Sequence, residues 1–487
     1  MTRWKRNSRR RRKEPEIYAG LDLGTSGCKG VLVGPDGRVL GRASAGYATS
    51  RPEPGAAEQD PADWLTAVMA VIRQLADTAS PSAWHGIGLS AMLPTLVLAD
   101  EAGEPVGPAI TWEDGRAESC GTELRGDEVY RRTGQWVDGR YLIPMALRLA
   151  ATEPGRIKAA SHLLGAKDYL YQVLTGEPLT DPSTAAGVGC YDLLTGSWIP
   201  ELIPAGLPRL PEIGPAETRR PLLPSAASAL GLVAGTPVVL GGADSVLGAL
   251  GLGLTRPGQV AYIAGTSNVI LALSDTPVID PLHRHLVTPM AGVSGWGLEM
   301  DLLATGSAHD WLAGLLTGGD HEALAALAAG ADQEDAPLFL PYLLPGEQGA
   351  RWDPDLTGVL TGLHLGHGPG HLARGLLSGI VTESRHCLAL LETAAGPGEI
   401  FLAGGGASAL AADLADATGR TVIPPDPARA DGSAIGAAMI AADRSLPISI
   451  GPKRRVVTPD AARASQWARL ADQHEATLAA LKRKDPQ

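Results

Sequence analysis

The sequence predicts an α/β chain built from two similar blocks, and three observations carry that reading. Strand-like and helix-like segments alternate with short Gly/Pro loops, as in layered α/β folds. A strand, Gly-Thr-Ser, strand pattern occurs at Gly24-Thr25-Ser26 and again at Gly265-Thr266-Ser267, about 240 residues later. The 487 residues, 44% hydrophobic and 19% charged, suffice for two or three domains with real cores. The repeat suggests a duplicated domain, with the two turns facing each other across a cleft.

The first block opens on IYAGLDLG, from Ile17, and CKGVLVGPDGRVLGRAS, two antiparallel strands closed at GTSG. A second turn follows at Gly34-Pro35-Asp36-Gly37, with a further strand beyond it. Pro61 to Ala76 has apolar residues at helical spacing, with Asp60 placed as N-cap and Pro61 at the first helical position. Ile87 to Leu98 reads as strand, with Pro94 marking an edge or a break. The second block, from Thr236, starts with a buried strand, a Gly-rich turn and a small-residue helix in TPVVLGGADSVLGALGLG. Glu399–Ala403 is a strand running into Gly404-Gly405-Gly406, with a helix after Ala407. Gly432–Ala442 is a small-residue helix, His309–Ala329 a core helix or pair of helices, and Pro459 to Lys484 an amphipathic surface cap without chemistry. The expected divisions are a basic leader at 1–16, domains at 17–235 and 236–447, and a tail at 448–487.

Charge narrows the function classes. Lys and Arg total 41 against 53 Asp and Glu, a net −12. Residues 1–16 hold eight Lys/Arg and two Glu, so the remaining 471 carry 33 against 51. Such an acidic body is a poor partner for nucleic acid or an anionic membrane. The leader reads as a solvated tail, with a nucleic-acid arm as the minority alternative. Four dispersed cysteines, at 28, 120, 190 and 387, suit neither a disulfide framework nor a structural zinc site. With no apolar signal segment and no uninterrupted membrane span, the expectation is a soluble, cytoplasmic protein. Cys28 reads as a small packed residue. His283, His285, His364, His367 and His371 read as surface or capping residues.

Gly-rich turns between strands point backbone N–H groups into a cleft, where they bind phosphate oxygens. Thr25, Ser26 and Thr266 would add hydroxyl donors. Walker, dinucleotide, HExxH and GxSxG motifs are absent. Two carboxylates stand beside Gly-rich turns: Asp22 before Gly24, and Asp244 after Gly241-Gly242. A carboxylate so placed positions Mg²⁺ or takes a proton from an attacking hydroxyl, or else simply caps a turn or helix.

Nine segments, in order, carry a more specific likeness: DLGTSGCKG (22–30), QDPADW (59–64), WEDGRAE (112–118), KDYLYQVLTGE (167–177), GGADSVLGALGLG (241–253), AGTSN (264–268), FLPYL (339–343), FLAGGGA (401–407) and DGSAIGAA (431–438). Over residues 17–445 the chain resembles the FGGY family of carbohydrate kinases, most closely its xylulokinase-like branch. The resemblance implies two actin-like, ribonuclease-H-like domains with ATP and sugar in the cleft between them. It implies Asp244 as catalytic base, with Asp22 and Asp244 at Mg²⁺. Gly24, Thr25, Ser26, Lys29, Gly265, Thr266 and Ser267 would lie along the triphosphate, and Gly404, Gly405, Gly406 and Ala407 against the adenosine. Met92, Leu93, Trp112, Asp114 and Arg116 fall on the sugar side. The implied substrate is a small sugar, D-xylulose foremost; gluconate, ribulose, a specialised sugar, or a non-catalytic sensor are the alternatives. Family members are often dimers. The chain departs from the pattern at Leu93, where a His is usual, at Glu113, where Asn is common, and at Gln348, where an Arg is usual, while Arg351 is new. These positions bear on sugar choice; the phosphoryl-transfer machinery is retained.

Overall fold

A computed structural model describes residues 16–344, 349–351, 353, 355–443 and 455–482. The leader up to residue 15 and Gln348 lie outside the described residues. Two six-stranded sheets organise the chain. The first holds β1 (Ile17–Leu23), β2 (Gly27–Val33), β3 (Val39–Gly46), β4 (Trp84–Ala91), β5 (Arg219–Pro221) and β6 (Pro237–Ala243), in spatial order β3-β2-β1-β4-β6-β5. The second holds β7 (Val260–Ala264), β8 (Asn268–Ser274), β9 (Leu286–Pro289), β10 (Trp296–Leu302), β11 (Ile400–Ala403) and β12 (Val422–Ile423), in order β9-β10-β8-β7-β11-β12. In each sheet an antiparallel meander, β1-β2-β3 or β7-β8-β10, is followed by two parallel additions, β4 and β6 or β11 and β12. The two Gly-Thr-Ser turns thus occupy the same position in two copies of one topology.

The helices used below are α1 (Pro61–Thr78), α2 (Ala166–Thr175), α3 (Asp244–Leu252), α4 (Gly306–Thr317), α5 (His321–Ala329), α6 (Pro369–Ala395), α7 (Ala407–Thr418), α8 (Gly432–Ala441) and α9 (Ala461–Lys482). Asp60 caps α1 by accepting the Ala62 N–H at 2.9 Å, and Pro61 takes the first position, where its missing N–H costs nothing. Trp64, Val68, Val71, Ile72 and Leu75 form the buried stripe of α1 against the first sheet. Each such side chain contributes roughly 1.5–3 kcal/mol on burial.

Three expectations are corrected. Residues 87–98 are not one strand: β4 ends at Ala91, and Thr95–Ala99 joins a separate four-stranded sheet after the break at Pro94. The division at 235/236 would cut the first sheet, because β6 pairs in parallel with β4. Furthermore α8, from the end of the chain, packs on β1 and β4 of that first sheet. That approach requires glycine, since a Cβ on Gly20 or Gly88 would stand 1.8 or 1.9 Å from the carbonyl oxygens of Ala434 and Ala437. Finally, α9 is more than a surface cap. It buries Trp467 in the core of the second sheet and His474 completely. The expected helix pair at 309–329 is α4 and α5.

Candidate active site

Strand register brings the two acidic residues to one edge. Asp22 on β1 is level with Ser90 on β4, and Ser90 is level with Gly242 on β6, so Asp244 follows two residues beyond. Neighbouring strands are about 4.8 Å apart, which sets Asp22 and Gly242 about 10 Å apart at the carboxyl ends of parallel strands, where α/β sheets bind ligands. Asp22 is buried and accepts the Ser90 hydroxyl at 2.8 Å. Burial raises its carboxyl above the usual range, while Ser90 and Lys29, the latter opposite it on β2, pull it back. Asp244 opens α3, half-buried, and its carboxyl is pushed up to about 7, first by burial and then by the charge of Asp22. The Ser245 N–H, donating to it at 2.9 Å, acts in the opposite direction.

Sequence reasoning missed what holds Asp244 in place. Ser183 Oγ accepts the Ala243 N–H at 2.9 Å and donates its own proton to Asp181. Asp181 in turn faces buried Lys167, whose ammonium lies 3.2 Å from it and 2.8 Å from Asp168. Lys167 and Asp168 stand in the KDYLYQVLTGE segment, so the signal was present, without an indication of what it supports. Also unforeseen is an acidic pair on β10. Glu299 and Asp301, two residues apart on one face of that strand, are both raised by burial, Glu299 additionally by Asp301. Glu299 bonds the side chain of Ser245, next to Asp244, and Asp301 faces Arg140 from the first half of the chain. Asp301 Oδ1 is buried without a hydrogen-bond partner.

The first turn is braced from several sides. The Gly24 N–H closes on the Gly27 carbonyl at 3.1 Å, Tyr47 donates its hydroxyl to the Gly24 carbonyl, and Gln59 donates to that of Thr25 at 2.8 Å. Trp112, expected on the sugar side, donates its indole N–H to Thr25 Oγ1 at 3.0 Å and so belongs to this turn. Asp114 and Arg116 are spent internally. The Arg116 guanidinium pairs with Asp114 at 2.6 Å, Glu53 at 2.7 Å and Glu58 at 2.5 Å, while Asp114 also accepts the Ala57 N–H. Burial alone would raise Asp114, but Arg116 and the backbone donors hold it low. Most of the Arg116 donors are thus engaged within the protein. Met92 is buried, and Leu93 is an apolar wall packed against Gly187. Glu113 pairs with Arg51 at 3.1 Å.

The second turn closes one residue sooner than the first: the Gly265 N–H donates to the Ser267 carbonyl at 3.0 Å, and the Thr266 carbonyl accepts the Ser307 N–H at the start of α4. Beside it opens a cavity of about 850 Å³, lined by Gly265, Thr266, Arg374, Gly405 and Gly406 and by Ala/Leu side chains of α5 and α6. Of the expected adenosine-side residues, Gly405 and Gly406 line the cavity. Gly404 (φ +97°) packs instead against β7, where a Cβ would stand 1.9 Å from the Ala264 carbonyl oxygen, and Ala407 lies in the core.

Among the histidines, His283 stacks on Trp136 with ring centroids 4.4 Å apart, and His285 is buried. His364, His367 and His371 each accept a backbone N–H at Nδ1, a capping role, while gathering around Asp335. Cys28 is a packed core residue.

A duplicated sheet topology with Gly-rich turns, and two carboxylates at the carboxyl edge of the first sheet, defines a two-domain phosphotransferase of the actin-like class. The N-terminal domain of the FGGY family of carbohydrate kinases matches residues 17–251, and the family's C-terminal domain matches residues 260–443. The chain belongs to that family and is a carbohydrate kinase. It is similar to the xylulose kinase of Escherichia coli (strain K12), 32% identical over 373 residues, which span 75% of this chain and 76% of that one. The gluconokinase of Bacillus subtilis (strain 168) is 28% identical over 409 residues, 80% of this chain and 79% of that one. Among solved structures, the xylulose kinase from Rhodospirillum rubrum superimposes with a TM-score of 0.87 at 33% identity, over 96% of this chain and 99% of that one. No described helix is long and apolar enough to cross a membrane.

Proposed function

We propose that this kinase transfers the γ-phosphoryl group of Mg·ATP to a hydroxyl of a small neutral sugar, a ketose such as D-xylulose, with Asp244 as base. The observation that carries the reading is Asp244 itself, first residue of α3 at the carboxyl edge of the first sheet, with a proton affinity raised toward neutrality by burial and Asp22. A sugar hydroxyl is far too weak an acid for a carboxylate to deprotonate in advance. Asp244 therefore orients the hydroxyl and takes its proton late, as the new O–P bond forms and the bond to the ADP oxygen breaks. Asp22 and Asp244, an acidic pair near a single lysine, Lys29, suit a divalent cation and are the residues that would hold it. Mg²⁺ supplies positive charge to the β- and γ-phosphates when bound. The N–H groups and hydroxyls of Gly24, Thr25, Ser26, Gly265, Thr266 and Ser267 add fixed dipoles at no reorganisation cost. Gly405 and Gly406 border the cavity suited to the nucleoside.

One consideration favours a neutral acceptor: relatives named as xylulose kinases stand among the most similar proteins. The test is ADP release with Mg·ATP across ketoses, polyols and sugar acids, run beside Asp244→Asn. Turnover with a neutral sugar, lost by orders of magnitude in the variant while nucleotide still binds, is expected. A variant as active as the parent would remove Asp244 from the role of base.

A further inference from the structure

We infer that His309 and His321 form a binding site for one transition-metal ion, Zn²⁺ or a cation of similar ligand preference, at the mouth of the cavity between α4 and α5. The two helices are joined by a three-residue turn, so the fourth residue of α4 and the first of α5 lie side by side. Their rings stack at 18°, with centroids 5.4 Å apart and Nδ1 atoms facing at 3.3 Å. That separation is long for a hydrogen bond. It matches two ligands of one tetrahedral ion, since bonds of about 2.0–2.1 Å at the tetrahedral angle set the nitrogens about 3.3–3.4 Å apart.

The surroundings agree with ligation through Nδ1. A ring that binds metal through Nδ1 carries its proton on Nε2, and the Asp310 carboxylate stands 3.8 Å from His321 Nε2, beyond hydrogen-bond reach but on the same rim. His309, Asp310 and His321 each place a ligand atom within 4.8 Å of the others, and Glu322 lines the same rim. Imidazole nitrogen selects zinc, copper or nickel over magnesium, so the Mg²⁺ of the reaction does not compete for this pair. Two protein nitrogens leave positions open to water or to an oxygen of whatever occupies the cavity. On the kinase reading, on which this last consequence rests, the ion lies beside the bound nucleotide and inhibits turnover.

The test uses tag-free, nucleotide-free protein titrated with Zn²⁺ by calorimetry and with Co²⁺ by visible absorption. A saturable site is expected, weakened about tenfold or more in both His321→Ala and His309→Gln. Circular dichroism and melting temperature should be unchanged, which separates ligand loss from misfolding. Absence of saturable binding, or binding that both variants retain at the parent's affinity, overturns the proposal. Zn²⁺ inhibition of turnover that is relieved in His321→Ala would link the site to the nucleotide. Silence with every sugar would instead count against the kinase reading, and the calorimetry would still decide the metal site.

Discussion

Ser183 Oγ accepts the Ala243 backbone N–H at 2.9 Å, one residue before Asp244. Through Ser183 the turn that carries the carboxylate is tied to Asp181, and through Asp181 to the buried ammonium of Lys167. A base displaced by 1 Å loses much of its value, so this chain of bonds is a positioning device. Replacing Lys167 with Met leaves Asp168 and Asp181 buried without their cation, a change of about 3–5 kcal/mol. Urea denaturation of Lys167→Met should show a loss of that order, and Ser183→Ala a loss of about 1–3 kcal/mol with lowered kcat. Unchanged stability in Lys167→Met would mean that the network carries no strain on its loss.

Asp244 binds a proton more tightly in the folded chain than in the unfolded one. Stability from that proton is present below pH 4 and is lost as pH rises toward about 7. The charged group then costs the native state about 1–4 kcal/mol relative to a neutral isostere. Asp244→Asn should accordingly melt several degrees higher than the parent at pH 8 and at nearly the same temperature at pH 4. Equal melting temperatures at pH 8 would place the Asp244 carboxyl in the ordinary range.

The same proton affinity sets the pH profile. Asp244 must be ionised to accept the hydroxyl proton, so kcat/KM should rise with pH and level off above an apparent pKa near 7. A profile flat from pH 5.5 upward would contradict the assignment.

Trp112 braces the first Gly-Thr-Ser turn, which the proposed function sets along the phosphates. Its indole N–H holds Thr25 Oγ1 at 3.0 Å, and the ring is partly exposed. Trp112→Phe removes that donor while keeping the ring, and KM for ATP should rise about threefold to tenfold with kcat changed less. A change confined to KM for the sugar would return Trp112 to the sugar side.

Glu299 and Asp301, whose carboxyls are raised by burial, gain their full charge only as pH rises, so they should discriminate against a sugar carboxylate most strongly in alkaline buffer. Gluconate is expected to be a poorer substrate than D-xylulose by at least about tenfold in kcat/KM, and Glu299→Gln with Asp301→Asn should narrow that ratio. Gluconate preferred over every ketose would reverse the neutral-sugar reading.

Much of this was legible from the sequence because it is local. Alternation, Gly-Pro punctuation and the Asp60-Pro61 start gave the elements, since caps, turns and apolar periodicity act within a few residues. The repeated Gly-Thr-Ser turn announced the duplication, and the ordered motifs singled out Asp22, Asp244, Gly265 and Thr266. Two readings turned on distant partners. The resemblance set Arg116 on the sugar side; nothing local reveals that Glu53 and Glu58 fold back to pair with it. The boundary at 236 followed a change of texture, while hydrogen bonds to β4, about 150 residues earlier, decided to which sheet β6 belongs.

The sequence by itself determined the family, the two-block architecture and the pair of acidic residues beside Gly-rich turns, because covalent order and local geometry suffice for these. Tertiary structure alone decided that α8 returns to the first sheet over Gly20 and Gly88, that Lys167 and Ser183 brace Asp244, and that Glu299, Asp301 and the His309–His321 pair stand where they do. Burial and charge at a point in space come from residues far apart in the chain, and their sum is fixed only when the sheets have closed.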